Sequence, residues 1–370
     1  MKKIIFGITS LTLGGAERVL VDLANELSKK NEYEITIFTI YGKGELEKQI
    51  SPKVKLKTIY TKPYNQLSKI QRKIIEPLRI LLTKNKIYKK YIKNKYDKEI
   101  AFLEGPITRI FACGKEKNKK IAWIHNDISQ VFGTGIKAKI KRKIDQKQYK
   151  KFSKLIFVSQ SNLESFKETY RNNKAEKQVI YNYINSEIVL KKAQEPFEDQ
   201  FNLQNINLVT VARLVPQKAL ERLIKVHSTL IKDGIKHNIH IIGDGPEREK
   251  LEKLIKSNNC GDTLKLLGAK ENPYPYMKEA DYFCLLSYFE GYPMVVEEAK
   301  ILNKEILITE TAAKEVIKNY SKGKIFENTE EGIYNGIKTV IQNKKLKEND
   351  MQELKEYNNK NIIEQVENLF

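Results

Sequence analysis

The stretch ADYFCLLSYFEGYPMVVEEAKILNKEILI, residues 280–308, contains the features that decide the fold. Its opening apolar run, Tyr282–Leu286, predicts a buried strand. A glycine and a proline then interrupt the pattern, and a helix over Met294–Leu302 and a strand over Ile306–Ile308 follow. Such a strand–loop–helix–strand unit opens its loop at the carboxyl edge of a parallel sheet, where ligands usually bind.

Two glutamates flank the start of this helix. Glu290 lies in the loop and Glu298 lies about one turn into the helix, with seven residues between them. We interpret these carboxylates as acceptors for hydroxyl groups, such as those of a sugar, because they would repel a phosphate placed directly beside them.

The helix start itself predicts an anion site. Pro293 suits the first turn, and the backbone N–H groups of Met294, Val295 and Val296 have no partner inside the helix. A helix N-terminus of this kind attracts phosphate. A sugar–phosphate–ribose ligand would therefore satisfy the loop, the helix start and both glutamates.

Other candidate residues follow predicted strands elsewhere in the chain. Gly14 and Gly15 connect the first strand to the first helix, where glycine lets backbone N–H groups approach a phosphate or sugar. Gly243 occupies a similar strand–helix turn. It could approach a ligand in the same way, or it could serve only to form a tight turn, and the sequence favours neither role. Arg213 and Lys218 bracket the loop of ARLVPQKALERLI, where two cations could neutralise a diphosphate leaving group.

One of the four histidines stands out by position. His125, in AWIHND, follows the predicted strand Lys120–Ile124 and has polar neighbours. A single histidine is as easily structural as functional, so its position makes it only a candidate.

Composition limits the class of protein. The 370 residues are enough for two domains, 41% of them are apolar, and no apolar run reaches the length of about 18 residues typical of a transmembrane helix. We interpret the short apolar N-terminus as a strand instead of a signal peptide. The three cysteines are widely spaced, which fits a reducing cytoplasm, and we expect no cofactor and no obligatory metal.

The net charge of +21 indicates an anionic partner, which could be nucleic acid, anionic lipid or a phosphorylated substrate. Basic helical stretches over residues 65–97 and 136–151 carry much of this charge, with isoleucine, leucine and tyrosine at helical spacing. Such faces could lie on an anionic membrane surface, or they could be ordinary amphipathic helices with solvated lysines.

Two runs of alternating strands and helices are separated by a polar segment, residues 191–200. They predict an α/β protein with two facing, Rossmann-like, doubly wound parallel-sheet domains and a ligand in the cleft between them. We expect an N-terminal domain over 1–195, a donor-binding domain over 200–349 and a C-terminal helix over 350–370 that packs back toward the N-terminal domain.

Four segments together resemble the retaining glycosyltransferases of family 4, which have the GT-B fold. These segments are GGAERVLVDLANEL, VARLVPQKALERLI, IIGDGPEREKLEKLI and EGYPMVVEEA, and the resemblance covers nearly the whole chain. One departure lies at Ala219, where members of the family often have glycine after the lysine.

The resemblance implies a role for each candidate residue. Gly15 and its neighbours would approach the donor, His125 would lie beside the donor sugar, and Arg213 and Lys218 would hold the diphosphate. Glu290 would bind hydroxyls of the transferred sugar. The amides that follow Pro293, those of Met294 and Val295, would contact phosphate, and Glu298 would bind the ribose.

The implied activity is transfer of a hexosyl or N-acetylhexosaminyl group from a nucleotide diphosphate sugar, with retention of anomeric configuration. The resemblance implies a lipid-linked saccharide or glycolipid acceptor, in surface polysaccharide, capsule or lipopolysaccharide assembly. We expect a UDP-sugar in preference to a GDP-sugar, and a cytoplasmic protein held peripherally on the inner face of the membrane.

Three alternatives remain open at this level. A nucleotide-sugar epimerase with the same fold would act on the donor without an acceptor. A basic nucleic-acid-binding protein would explain the charge, although no recognisable nucleic-acid module is present. A catalytically silent partner of another transferase is disfavoured by the presence of His125, Arg213, Lys218 and Glu290.

Overall fold

The computed structural model describes residues 1–68, 70–131, 135–199, 201–202, 204–344 and 359–370. The chain forms two compact units that divide between Ile184 and Asn185, and the C-terminal segment belongs to the first unit.

The first unit is built on a parallel sheet of seven strands. They are β1 (Lys2–Ile8), β2 (Tyr33–Tyr41), β3 (Lys55–Tyr60), β4 (Lys98–Ala101), β5 (Lys120–Ile124), β6 (Lys154–Phe157) and β7 (Glu176–Val179). Their order across the sheet is β3-β2-β1-β4-β5-β6-β7. The helices are α1 (Gly15–Leu27), α2 (Glu76–Tyr91), α3 (Pro106–Phe111), α4 (Ile128–Val131), α5 (Ile136–Tyr149) and α6 (Gln160–Thr169).

The second unit has a parallel sheet of six strands. They are β8 (Ile206–Val211), β9 (His237–Ile242), β10 (Leu264–Gly268), β11 (Tyr282–Leu285), β12 (Glu305–Thr309) and β13 (Gly323–Phe326), in the order β10-β9-β8-β11-β12-β13. The helices are α7 (Ser186–Lys192), α8 (Leu220–Lys232), α9 (Arg248–Ser257), α10 (Tyr274–Glu279), α11 (Met294–Ile301), α12 (Lys314–Ile317) and α13 (Glu330–Gln342).

Both sheets confirm the predicted α/β class with two doubly wound domains. Strands such as β9 are buried along their whole length, as expected where helices cover both faces of a parallel sheet. The core of the first unit contains the single tryptophan, Trp123 on β5, whose ring lies 4.8 Å from that of Phe102.

The boundary between the units differs from the predicted one. We expected the first domain to extend to residue 195, but α7 belongs to the second unit because it packs on α10 and α11. The side chain of Asn272 strengthens this attachment by donating to the Lys192 carbonyl at 2.8 Å. The predicted boundary followed the polar segment 191–200, which overlaps only the last two residues of α7, and the packing of this helix leaves no local signal in the sequence.

The C-terminal helix α14 (Asn359–Glu367) lies within the first unit. Glu367 pairs with Lys30 at 2.5 Å, and the Phe370 ring contacts Phe6 and Tyr33 edge-on at 6.4 and 5.3 Å. Residues 350–358 of the predicted helix lie outside the described residues.

The basic stretch over 65–97 is less regular than the single helical region that we predicted. A 3₁₀ turn at Tyr64–Gln66 and a π-helical turn at Gln71–Ile75 precede α2. Residue 69 of this stretch lies outside the described residues.

Candidate active site

The strand order of the second sheet reverses between β8 and β11, which are neighbours. The loops after these strands therefore meet at the topological switch point, where doubly wound sheets bind ligands. Lys218 comes from the first loop and Glu290 from the second, and Lys218 Nζ donates to Glu290 Oε1 at 2.6 Å. Two residues predicted separately, 72 positions apart, thus form one ion pair with side-chain exposures of only 17% and 6%.

The Glu290 carboxylate is held on one side only. Ser287 Oγ donates to the same Oε1 atom at 2.5 Å, and Thr309 Oγ1 on β12 donates to the Ser287 carbonyl at 2.7 Å. Glu290 Oε2 accepts no hydrogen bond from the described residues, so this oxygen can accept one from a ligand hydroxyl.

Gln217 joins the two loops of this switch point and was not found from the sequence. Its side-chain amide donates to the Phe289 backbone carbonyl at 2.9 Å, and its backbone carbonyl accepts from the Tyr288 backbone N–H at 3.0 Å. These bonds hold the loop that carries Glu290 against the loop that carries Lys218.

Arg213 precedes Lys218 in the loop after β8. Its side chain is exposed and makes no hydrogen bond or ion pair with the described residues. An exposed guanidinium at the carboxyl edge of the sheet can bind a phosphate in bidentate fashion.

α11 begins at Met294, as predicted, and two of the three N–H groups that we expected to be free are free within the described part of the chain. Pro293 is the N-cap residue, and the backbone N–H groups of Met294 and Val295 find no acceptor among the described residues. We expected a third free N–H at Val296, which was wrong, because this group donates to the Pro293 carbonyl at 3.1 Å. The helix start therefore offers two N–H groups to an anion.

Glu298 lies further along α11 and is 6% exposed. Tyr274, at the start of α10, donates its hydroxyl to Glu298 Oε1 at 3.0 Å. The tyrosine holds the carboxylate in place, and the sequence did not reveal this pairing because 24 residues separate the two.

Gly243 has a structural reason to be glycine. Its φ is +143°, and a Cβ at this position would lie 1.9 Å from the Ala212 carbonyl oxygen. Close packing of the turns after β8 and β9 is thus sufficient to explain the residue, and its contact with a donor stays a prediction.

In the first sheet the strand order reverses between β1 and β4. Gly14 and Gly15 lie in the turn from β1 into α1, which is the switch-point loop of this unit. Gly14 is extended, with φ −163°, and Gly15 is the first helical residue. Neither conformation requires glycine, so their approach to a ligand also stays a prediction.

His125 follows β5, the next strand beyond β4. Its Nε2 atom is buried and has no hydrogen-bond partner among the described residues. Burial lowers the pKa of His125 to about 3, although a hydrogen bond to the Phe102 carbonyl raises this pKa in part. Because Nε2 lacks a partner, we assign that bond to Nδ1–H, which leaves the Nε2 lone pair able to accept a hydrogen bond.

Glu104, which sequence reasoning missed, lies against His125. Its Oε1 atom accepts the backbone N–H groups of His125 and Asn126, each at 2.7 Å, and its Oε2 atom accepts the Asn126 side-chain amide at 3.2 Å. Burial raises the pKa of the Glu104 carboxyl. Only its place just after β4 marks it in the sequence.

Within the part of the chain that the structure describes, no three His, Cys, Asp or Glu side chains are grouped closely enough to hold a metal ion. None of the described helices combines the length and apolar character needed to cross a bilayer.

Two family models match the two parts of the chain. Residues 13–188 match the model described as Glycosyltransferase Family 4, and residues 191–361 match the model described as Glycosyl transferases group 1. The chain belongs to the family 4 glycosyltransferases with the GT-B fold, and the protein is a glycosyltransferase.

Individual relatives are similar over almost the whole chain. An N-acetylgalactosamine-N,N'-diacetylbacillosaminyl-diphospho-undecaprenol 4-alpha-N-acetylgalactosaminyltransferase of Campylobacter jejuni is 26% identical, covering 94% of this chain and 92% of its own. The structure of Anabaena HepE with UDP and glucose superposes with a TM-score of 0.68 and 18% identity, over 93% and 90% of the two chains. The structure of TarM superposes with a TM-score of 0.73 and 15% identity, over 100% and 98%. The two structural matches support the fold.

Proposed function

We propose that this glycosyltransferase moves a hexosyl or N-acetylhexosaminyl group from a UDP-sugar to a lipid-linked saccharide, with retention of anomeric configuration, in surface polysaccharide or glycolipid biosynthesis. The observation that carries the proposal is the meeting of Lys218, Glu290 and the free N–H groups of α11 at one switch point. A nucleotide sugar is bound by three kinds of group: a cation for its diphosphate, an acceptor for its sugar hydroxyls and N–H donors for its phosphate oxygens.

Each group has a defined task in the proposed reaction. The UDP diphosphate leaves as the glycosidic bond breaks, and its charge is stabilised by Arg213, Lys218 and the amides of Met294 and Val295. Glu290 Oε2 accepts hydroxyls of the transferred sugar. An acceptor hydroxyl attacks from the face that the diphosphate leaves, and its proton passes to the departing phosphate.

Glu298 accepts hydrogen bonds from the ribose hydroxyls in this proposal. Its carboxylate is already oriented by Tyr274, so binding does not require it to reorganise. His125 Nε2, with its free lone pair, accepts a hydroxyl of the donor sugar.

The acceptor class rests on the relatives. The Campylobacter jejuni enzyme above is named for a diphospho-undecaprenol-linked substrate, as is a second one from the same organism that is 28% identical over 81% of this chain. The preference for UDP is supported by the neighbouring HepE structures, which contain UDP or UDP-glucose.

A panel of UDP- and GDP-sugars tests the proposal, with nucleotide release measured in the presence and absence of lipid extract. We expect lipid-dependent release of UDP from one donor, and loss of release in Glu290→Ala and Lys218→Ala. Glu310→Ala and Lys314→Ala are matched controls, because these residues form an exposed ion pair at 3.2 Å in the same unit. An altered sugar nucleotide without release would instead indicate an epimerase, and turnover that both site variants retain would refute the assignment.

Membrane association is the second part of the proposal, and exposed apolar side chains on two helices of the first unit carry it. Ile136, Ile140 and Ile144 recur every four residues on α5 and are 78%, 56% and 48% exposed, with lysines and an arginine between them. Leu82, near the middle of α2, is 74% exposed. Exposed apolar side chains flanked by cations suit an anionic lipid surface at the inner face of the membrane.

Flotation with vesicles that contain phosphatidylglycerol tests this part. We expect Ile140→Ser and Leu82→Ser to reduce the bound fraction and high salt to reduce it further. Leu190→Ser is the control, because this leucine is also exposed, at 38%, but lies on α7 of the second unit. Equal binding by all three variants would contradict the proposed surface.

A further inference from the structure

Glu104 connects two loops at the carboxyl edge of the first sheet. It lies in the turn after β4, whereas the backbone groups that it binds belong to the turn after β5, the adjacent strand. Its carboxylate is used by three N–H donors at 2.7, 2.7 and 3.2 Å. A carboxylate shared in this way is an anchor, because three of its roughly four acceptor sites are occupied by protein groups.

The backbone around Glu104 is shaped for this task. Gly105, the next residue, has φ +87°, a conformation that favours glycine, and Pro106 then begins α3. The chain therefore turns sharply between Glu104 and the start of α3.

His125 is held from both sides of its backbone. Glu104 accepts its N–H, and the buried side chain of Asn162 on α6 donates to its carbonyl at 3.2 Å. The ring is held as well, because it packs 4.8 Å from the Phe102 ring and forms a hydrogen bond with the Phe102 carbonyl, which we assign to Nδ1–H. Nε2 alone stays unpartnered and buried, so its direction depends on these anchors.

We infer that Glu104 is a positioning residue for the transfer reaction, and that its carboxylate oxygens fix the loop so that His125 Nε2 meets the donor sugar in one orientation. This inference rests on the proposed function of His125. It differs from a general-base role, because the carboxylate acts through its hydrogen-bond acceptors and neither gains nor loses a proton.

Substitutions at Glu104 separate these roles. Glu104→Ala removes the acceptors, Glu104→Asp keeps the charge but withdraws it by one methylene, and Glu104→Gln keeps an oxygen for the two backbone N–H groups without the charge. Glu164→Ala is the matched control, because Glu164 is an exposed glutamate on α6 of the same unit. Thermal melting of all four variants establishes that they are folded.

The first readout is kinetic. We expect Glu104→Ala and Glu104→Asp to lower kcat about 10- to 100-fold, the size of effect that small misplacements of a reacting group produce. We expect Glu104→Gln to recover kcat to within about threefold of wild type, and the Kd for UDP to change by less than about twofold in every variant. Wild-type kcat in Glu104→Ala, or a Glu104→Gln variant as slow as Glu104→Ala, would overturn the inference.

The second readout does not depend on turnover. In ¹⁵N spectra of the imidazole ring, with His125 assigned by its loss in His125→Gln, the wild-type protein should show a neutral ring with the proton on Nδ1. We expect a mixture of tautomers in Glu104→Ala and Glu104→Asp, and the wild-type pattern in Glu104→Gln and Glu164→Ala. An unchanged pattern in Glu104→Ala would overturn the positioning role even if no donor sugar were turned over, so its failure can be told apart from failure of the proposed function.

Discussion

Asp145→Asn should change how the stability of the first unit depends on pH. Asp145 lies on α5 and is 4% exposed, and it accepts a hydrogen bond from the Tyr170 hydroxyl at 2.9 Å. Burial raises the pKa of its carboxyl from 3.8 to about 6, and the hydrogen bond from Tyr170 and the charge of Arg109 oppose this only in part. The folded protein therefore holds this proton more tightly than the unfolded chain does.

The sign and size of the effect follow from that difference in pKa. Well below pH 3.8 the carboxyl is protonated in both states, and its full contribution to stability is present. As the pH rises toward about 6, the unfolded chain loses the proton first and the folded state is penalised. At 1.36 kcal/mol for each pH unit, the difference between 3.8 and about 6 amounts to a loss of about 3 kcal/mol, which stays constant at higher pH.

Urea unfolding followed by tryptophan fluorescence measures this effect selectively, because the single tryptophan, Trp123, is buried in the first unit. The free energy of unfolding of Asp145→Asn, relative to wild type, should rise by about 2.5 kcal/mol between pH 4 and pH 7, because the unfolded chain is already partly ionised at pH 4. Asp262→Asn, an exposed position in the second unit, should leave the Trp123 transition unchanged at both pH values. A relative stability of Asp145→Asn that is the same at pH 4 and pH 7 would refute the reasoning.

Three further predictions concern single residues. Ala219 adopts a left-handed conformation with φ +51°, so Ala219→Gly should stabilise the protein by roughly 0.5–1 kcal/mol in thermal or urea unfolding, and a loss of stability would contradict this. Gly243→Ala should have the opposite effect and destabilise by at least about 2 kcal/mol, because its Cβ would lie 1.9 Å from the Ala212 carbonyl oxygen. His125, with a pKa of about 3, should keep a neutral ring at pH 5 in NMR spectra of the folded protein, whereas in urea the same ring should be protonated; a charged ring in the folded protein at pH 5 would show that it is not buried as described.

The sequence was sufficient to predict most of the fold because parallel strands buried on both faces leave continuous apolar runs. β5 was predicted with the bounds that the structure shows. β13, Gly323–Phe326, was missed, because it is a short edge strand with two exposed residues and has little apolar pattern. α7 was placed in the first domain, because its contacts with α10 and α11 determine its place and leave no local signal.

The site was predictable to the extent that single residues reveal it. Lys218 and Glu290 follow predicted strands, so their position at the sheet edge could be inferred, but their ion pair depends on β8 and β11 being neighbours. Glu104 and Tyr274 act by holding other residues. A glutamate or tyrosine that orients a distant partner has no sequence signature of its own, which is why both were missed.

Calorimetric titration of UDP tests most directly whether the switch point of the second unit is the donor site, with GDP as the alternative titrant. Arg213→Ala and Lys218→Ala should each weaken binding about tenfold or more, since a hydrogen bond to a charged group contributes roughly 1.5–3 kcal/mol. Glu290→Ala should bind UDP at least as tightly as wild type. Removal of the carboxylate frees Lys218, and in the proposed complex this carboxylate contacts only the transferred sugar, which UDP lacks. An unchanged Kd in both cation variants, or a loss of UDP binding in Glu290→Ala, would contradict the assignment of the site.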